Sequence, residues 1–231
     1  MRLRDLLATA AFGFAVVSAG PAQAQVPPAR GEIAQYQGLF AAALANNAVE
    51  IKALVARGEK LDTRDHYQRT PLHVAAYFAK HDAMRALVAA GADVNALESD
   101  RYDIVTIASV ANDVPTLKLA LELGCKATNI TSRYDGTALI AAAHLGHAEV
   151  VQMLIRAGAP LNHVNNLHWT ALIESIVLGN GGPPHTLTLQ HLVDAGANLQ
   201  LADRSGATPL ALAKSRGYRE MVAILEKAGA R

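Results

Sequence analysis

Nine histidines are the first residues in this 231-residue chain that invite chemistry. His144 and His147 stand three apart, a spacing that puts two side chains on one face of a helix. With His163, His168 and Glu174, the residue His144 makes the best case for a metal or small-ligand site. Such a site needs three or four converging ligands, and no carboxylate or cysteine cluster with ligand spacing accompanies the pair. Neither a metal nor a cofactor is therefore expected. Ser175 follows Glu174 in a helical stretch and lacks the strained turn of a G-x-S-x-G nucleophile. The run GNGGPP at 179–184 has neither the lysine nor the strand-to-helix setting of a phosphate loop. Cys125 is the single cysteine, so no internal disulfide forms, and its place among small residues favours a packed thiol over a nucleophile. With no catalytic constellation left, the chain reads as non-enzymatic.

Residues suited to binding are more plentiful. Tyr77, Phe78 and His144 occupy helical stretches, and Tyr67, Arg69, Arg101, Tyr102, Arg133, Tyr134, His168 and Trp169 occupy the connections between them. Tyrosine, tryptophan and arginine combine a large buried area with a polar tip, which is why they dominate interface energetics. Glu174 stands where corresponding stretches have Val74, Ile107 and Ala141. An isolated buried carboxylate is costly, so it is expected to answer a basic group on a partner, or Arg133 or His168 within the chain. These twelve residues are the candidate contacts for a protein partner. The competing reading is that each covers a neighbouring segment.

The elements that position them are set by a repeat. From Thr137 to Leu145 small and apolar residues recur every three or four positions, Gly146 stops the pattern, and Val150, Val151, Leu154 and Ile155 mark a second amphipathic helix ending at Gly158. Equivalent starts fall at Gln37, Thr70, Asp103, Thr170 and Thr208, and the closing glycines at 58, 91, 124, 158, 196 and 229 keep the same register. The starts are spaced by 33, 33, 34, 33 and 38 residues and the glycines by 33, 33, 34, 38 and 33, the longer step in each series spanning the insertion in the fifth unit. Residues 70–75 read TPLHVA and 203–210 read DRSGATPL. In period and motif the chain resembles the ankyrin-repeat family over residues 37–231.

That resemblance implies an all-α solenoid of six helix-turn-helix units with β-hairpin-like fingers between them. It also implies partner binding through the concave face and the fingers, with His73 and His147 structural at helix start and turn. The first unit lacks the threonine-proline opening, as expected of a terminal unit with no neighbour in front of it, and Asp103 is expected to cap its helix in place of threonine. The family pattern puts glycine two residues before each opening. Only Gly206 obeys; Gln68, Arg101, Asp135 and His168 stand there instead, with Gly136 adjacent in the fourth unit, at an expected cost in backbone strain. The insertion at 179–185 is expected to protrude as a loop between the helices of the fifth unit, either as a contact loop or as a tolerated insertion.

The first residues, MRLRD, precede an uncharged apolar run and the small-residue spacing Ala22-x-Ala24, the pattern of a secretory signal cut after Ala24. Residues 25–36 read as a flexible lead-in. The apolar run falls short of the roughly 20 residues that span a bilayer, so a soluble periplasmic protein is expected, without membrane insertion. The chain has 21 Lys and Arg against 20 Asp and Glu, and loss of Arg2, Arg4 and Asp5 leaves 19 of each. Charge near zero disfavours nucleic acid and anionic lipid as partners. A monomer that binds a protein is the expected state. By resemblance to exported bacterial relatives, its setting is protection against oxidative stress beside an envelope enzyme, or immunity-like inhibition of a toxin or enzyme.

Overall fold

The structure is a computed structural model that describes residues 26–231. The expected signal at 1–24 lies outside the described residues. Thirteen helices follow in order: α1 (Arg30–Ile33), α2 (Gly38–Leu44), α3 (Ala48–Ala56), α4 (Pro71–Tyr77), α5 (His81–Ala89), α6 (Ile104–Val110), α7 (Val114–Glu122), α8 (Ala138–Leu145), α9 (Ala148–Arg156), α10 (Ala171–Val177), α11 (Pro183–Asp194), α12 (Pro209–Ser215) and α13 (Arg219–Lys227). From α2 onward they pair as six helix-turn-helix units. The inner helices α2, α4, α6, α8, α10 and α12 pack each on the next, and α3 on α5, α9 on α11 and α11 on α13 form an outer layer. This is the all-helical solenoid that the period called for.

Local chemistry explains the helix starts. Thr70, Asp103, Thr137, Thr170 and Thr208 each turn a side-chain oxygen back onto the amide three residues on, at 3.4, 2.7, 3.3, 3.2 and 3.3 Å. Each bond satisfies one of the donors that a helix start leaves free. Gln37 makes no such cap, in keeping with its terminal unit. His73 completes its turn from inside the core: Nδ1 lies 2.8 Å from Thr70 Oγ1, and Nε2 lies 3.0 Å from the Ala96 carbonyl. Burial drives its ionisation down to about 4. His147 likewise reaches the Ser109 carbonyl at 2.9 Å, tying one unit to the one before.

Small residues let the layers approach. Ala42, Ala43, Ala75, Ala108, Ala142 and Ala143 are buried on the inner helices, while Leu54, Leu87, Leu117, Leu154, Leu192 and Leu225 fill the same core from the outer ones. Cys125 is buried beside Asp103, with Sγ 3.7 Å from Oδ2, and burial pushes its thiol ionisation far up. No helix among the described residues is long and apolar enough to cross a membrane.

Two expectations need correction. The insertion at 179–185 does not simply protrude. Residues 179–182 make a short turn, and Pro183 and Pro184 open α11, which grows to 12 residues where α9 and α13 have 9. Proline suits the first helical turn, because its missing N–H would have no partner there and its φ is already helical. Tyr218 Oη donates to the Gly179 carbonyl at 2.9 Å, and the His185 ring lies under Gly146. The lead-in is not free either. It contains α1 and is held through Glu32 and Val26, as described next.

Candidate functional site

Each finger is shaped by one polar residue five positions before the helix opening. Asp65 Oδ1 accepts the Tyr67 and Arg69 amides at 2.9 Å, and Glu98 Oε1 the Asp100 and Tyr102 amides at 3.0 Å. Asn165 Oδ1 accepts the Leu167 and Trp169 amides at 3.0 Å, and Asp203 Oδ1 those of Ser205 and Ala207 at 2.9 and 3.0 Å. Ser132 Oγ takes this part in the fourth unit at 3.2 and 3.3 Å. The turn so closed needs a left-handed residue near its tip. Gln68, Arg101, Asp135 and His168 adopt it at φ 61, 64, 52 and 64°, as Gly206 does at 82°. Gly136 does not share the load; Ser132 does, at φ 63°. This set of acceptors was missed from the sequence, although it recurs at a constant offset.

The fingers are tight loops stitched side by side, and pairing of strand type is confined to an isolated antiparallel bridge between Thr131 and Gly136 among the described residues. Ser99 N donates to Tyr67 O at 2.9 Å, Ser132 N to Arg101 O at 3.2 Å, and Asn166 N to Tyr134 O at 2.9 Å. Arg101 Nη1 reaches Asp135 Oδ1 at 2.6 Å, and Arg133 bonds Asp100 in the opposite direction. Both arginines stay exposed while bracing adjacent fingers.

Arg69 does not belong to the surface. It is fully buried, with Nε donating to Asp65 Oδ2 at 2.7 Å, Nη2 to Glu32 Oε1 at 2.7 Å and Nη1 to Val26 O at 3.1 Å. Its guanidinium carbon lies 4.7 Å from the centre of the Tyr67 ring, and Tyr36 Oη donates to Asp65 at 2.8 Å. Burial would raise the Asp65 ionisation, but the Arg69 amide, the Tyr36 hydroxyl and the guanidinium outweigh it and hold the carboxylate low. Arg69 therefore fastens the lead-in instead of waiting for a partner.

Glu174 is also drawn inward, being 5% exposed. Oε1 accepts from Asn165 Nδ2 at 2.8 Å, and Oε2 lies 3.7 Å from His144 Nδ1 across the α8–α10 contact. Burial pushes its ionisation up to about 7. Burial, and the neighbouring His185, lower that of His144. Neither Arg133 nor His168 reaches Glu174: the first is paired with Asp100, and the second is exposed at its fingertip. Of the set His144, His163, His168 and Glu174, the structure brings together only His144 and Glu174; His163 Nε2 instead meets the Asp135 carbonyl at 2.6 Å. Among the described residues no three His, Cys, Asp or Glu side chains gather to hold a metal ion.

The remaining candidates form a graded surface. Tyr134 is half exposed, His168 and Arg133 are open, and Phe78, Tyr102, Trp169 and Tyr77 are half-buried. Tyr77 and Tyr102 pack on the core, so the two readings of these side chains, as cover and as contact, apply to the same rings. The Tyr77 hydroxyl is buried without a hydrogen bond near Glu98, and burial raises its ionisation strongly. In the same two fingers the apolar side chains of Ile130, Val164 and Leu167 are exposed as well.

A row of stacked helix pairs with stitched fingers defines a repeat solenoid. The chain belongs to the ankyrin-repeat family, whose profile, Ankyrin repeats (3 copies), matches residues 27–98 and 105–182. It is 31% identical over 186 residues to the putative ankyrin repeat protein YahD of Escherichia coli K12, covering 78% of this chain and 90% of that protein. A match of 26% to the nuclear factor NF-kappa-B p105 subunit of Gallus gallus spans 81% of this chain and 19% of that protein. Among solved structures, an ankyrin repeat domain from Acinetobacter baumannii AYE superposes with a TM-score of 0.77 at 42% identity, over 84% of this chain and 98% of that one. Ankyrin repeats are protein-protein interaction modules, and the fold is in general a non-enzymatic scaffold.

Proposed function

We propose that this protein is a non-enzymatic binding module of the bacterial envelope, exported to the periplasm and engaging one partner protein through its inner-helix face and fingers. The observation that carries the reading is the edge formed by Tyr134, Arg133 and His168, open on two adjacent fingers that are stitched through their backbones, with the half-buried Trp169 beside His168 on an amide held by Asn165. A rigid row of such side chains loses little entropy on binding. The leader pattern in residues 1–24 supports the location. Protection of an envelope enzyme under oxidative stress and inhibition of a toxin or enzyme are the two settings that fit a one-partner scaffold.

Crosslinking and capture from periplasmic extract, with the wild type beside the double variant Tyr134→Ala/Trp169→Ala, tests the reading. One protein held by the wild type and lost from the variant is expected. Equal retention would move the site off the fingers. Recovery of the chain only from cytoplasm would overturn the location.

A further inference from the structure

The α8–α10 contact carries a carboxylate whose charge the chain does not answer. Position 174 is glutamate where the other units have Ala41, Val74, Ile107, Ala141 and Leu212, so neither the fold nor the repeat requires a charge there. The two oxygens are used differently. Oε1 is fixed from within by Asn165, a residue whose own carbonyl oxygen is already bonded to two finger amides. Oε2 has no hydrogen bond among the described residues and lies 3.7 Å from His144 Nδ1, while Glu174 keeps 5% of its surface open to solvent. Its neighbour His144, one quarter exposed, forms the rim.

Arginines of the fingers are committed to other carboxylates. Arg133 and Arg101 brace the fingers, and Arg69 is enclosed by Glu32 and Asp65. A second buried carboxylate, Glu98, stands at the root of an earlier finger, in the place that Asn165 takes in the fifth unit. Its Oε1 takes two amides, and among the described residues it makes no salt bridge and the Tyr77 hydroxyl near it has no hydrogen bond. At α8–α10 the floor carries the Glu174 carboxylate and the rim the His144 imidazole, an arrangement that accepts a cation on an alkyl stem.

We propose that the inner face at α8–α10 receives a lysine or arginine side chain of the partner protein, with Glu174 Oε2 as acceptor, His144 as the side wall and Asn165 as the residue that holds the carboxylate in place. This rests on the protein-binding reading above and adds the chemistry of the residue recognised. An ion pair formed there is largely desolvated, and removing one member of such a pair weakens binding by about tenfold or more.

The test has two arms. In the first, the purified chain is labelled at glutamate carboxyl carbons and titrated with methylguanidinium chloride, against sodium chloride at equal ionic strength. A saturating shift of the Glu174 carboxyl, with movement of the His144 ring, is expected only with methylguanidinium, and Glu174→Gln should abolish the His144 response. Identical responses to both salts would overturn the proposal. In the second arm, the partner capture is repeated with Glu174→Gln, whose fold is checked by its melting curve. Loss of about tenfold or more in retained partner supports the assignment. Full retention by Glu174→Gln, with loss by Tyr134→Ala/Trp169→Ala, sinks the cation site and leaves the binding surface standing. Retention by both variants sinks the binding surface itself. Loss with Glu174→Gln alone keeps the inner helices as the site and removes the fingers from it.

Discussion

Arg69 Nη2 donates to Glu32 Oε1 at 2.7 Å, joining the root of the first finger to a residue 37 positions earlier in the chain. The same guanidinium holds Asp65 and the Val26 carbonyl, so one buried side chain seals the N-terminal end of the solenoid. Removing one member of a buried ion pair leaves the others uncompensated, at a cost of about 3 to 5 kcal/mol. Arg69→Ala should therefore lose that much in urea unfolding followed by circular dichroism. Glu32→Gln keeps a hydrogen bond and should lose less. If Arg69→Ala unfolded like the wild type, the lead-in would not be part of the cooperative unit.

Glu174 and His73 oppose one another in their response to pH. Burial raises Glu174 from 4.5 to about 7, so its contribution to stability is complete below 4.5 and is lost as pH rises through 7. Burial lowers His73 from 6.5 to about 4, so its contribution is present above 6.5 and is lost as pH falls through 4. Each shift corresponds to roughly 3 kcal/mol, and the two slopes nearly cancel between the ranges. Wild-type stability should be almost flat across that window. Glu174→Gln leaves the His73 branch alone, so its stability should fall by roughly 3 kcal/mol on acidification from neutral to pH 4. Urea midpoints measured at several pH values decide this; parallel profiles for the two proteins would show that Glu174 does not titrate in the range.

Cys125 should resist modification. Its thiol is buried against Asp103, and burial, followed by the charge of that carboxylate, holds it protonated. The thiolate is the reactive form, so alkylation by a maleimide should follow global unfolding and accelerate only near the urea midpoint. Rapid labelling of the native protein would indicate local opening between α6 and α7.

The repeat was legible because each unit carries its own start and stop: a capping side chain at Thr137 and its counterparts, and a left-handed glycine at Gly158 and its counterparts. Local chemistry of this kind needs no knowledge of the rest of the chain. The left-handed finger positions were legible for the same reason. Arg69 was misplaced because its partners Glu32 and Val26 belong to a segment whose prolines and glycine look like a loop. Glu174 could be singled out by its neighbours in the repeat, but its burial depends on Asn165, nine residues earlier in a finger. The row Asp65, Glu98, Ser132, Asn165 and Asp203 could have been found by aligning the units, since all stand five before an opening. The insertion at 179–185 was expected to be a loop throughout, whereas the position of Pro183 and Pro184 makes them helix starters.

Tyr134→Ala removes a half-exposed ring from a fingertip and should change stability by about 0.5 kcal/mol or less. Trp169 is half-buried beside the Asn165 turn, so Trp169→Ala should cost more, about 1 to 2 kcal/mol. Calorimetric melting of the two single variants separates these effects from any loss of binding. A large loss in Tyr134→Ala would mark that ring as packing.

His168 occupies the left-handed tip of its finger at φ 64°, the conformation that Gly206 takes in the last finger at 82°. A non-glycine residue held there costs about 1 to 3 kcal/mol, while glycine gives back roughly 0.5 to 1 kcal/mol through its freer unfolded chain. His168→Gly should therefore stabilise the protein by about 1 kcal/mol. Gly206→Ala is the reverse case. An added Cβ at Gly206 meets nothing within 4 Å, so its expected loss of about 1 kcal/mol is conformational and not steric. If both hold in urea unfolding and His168→Gly also weakens partner capture, the imidazole is kept at a cost to the fold because the partner uses it. If His168→Gly instead lowers stability, the ring holds its own finger in place and leaves the contact surface.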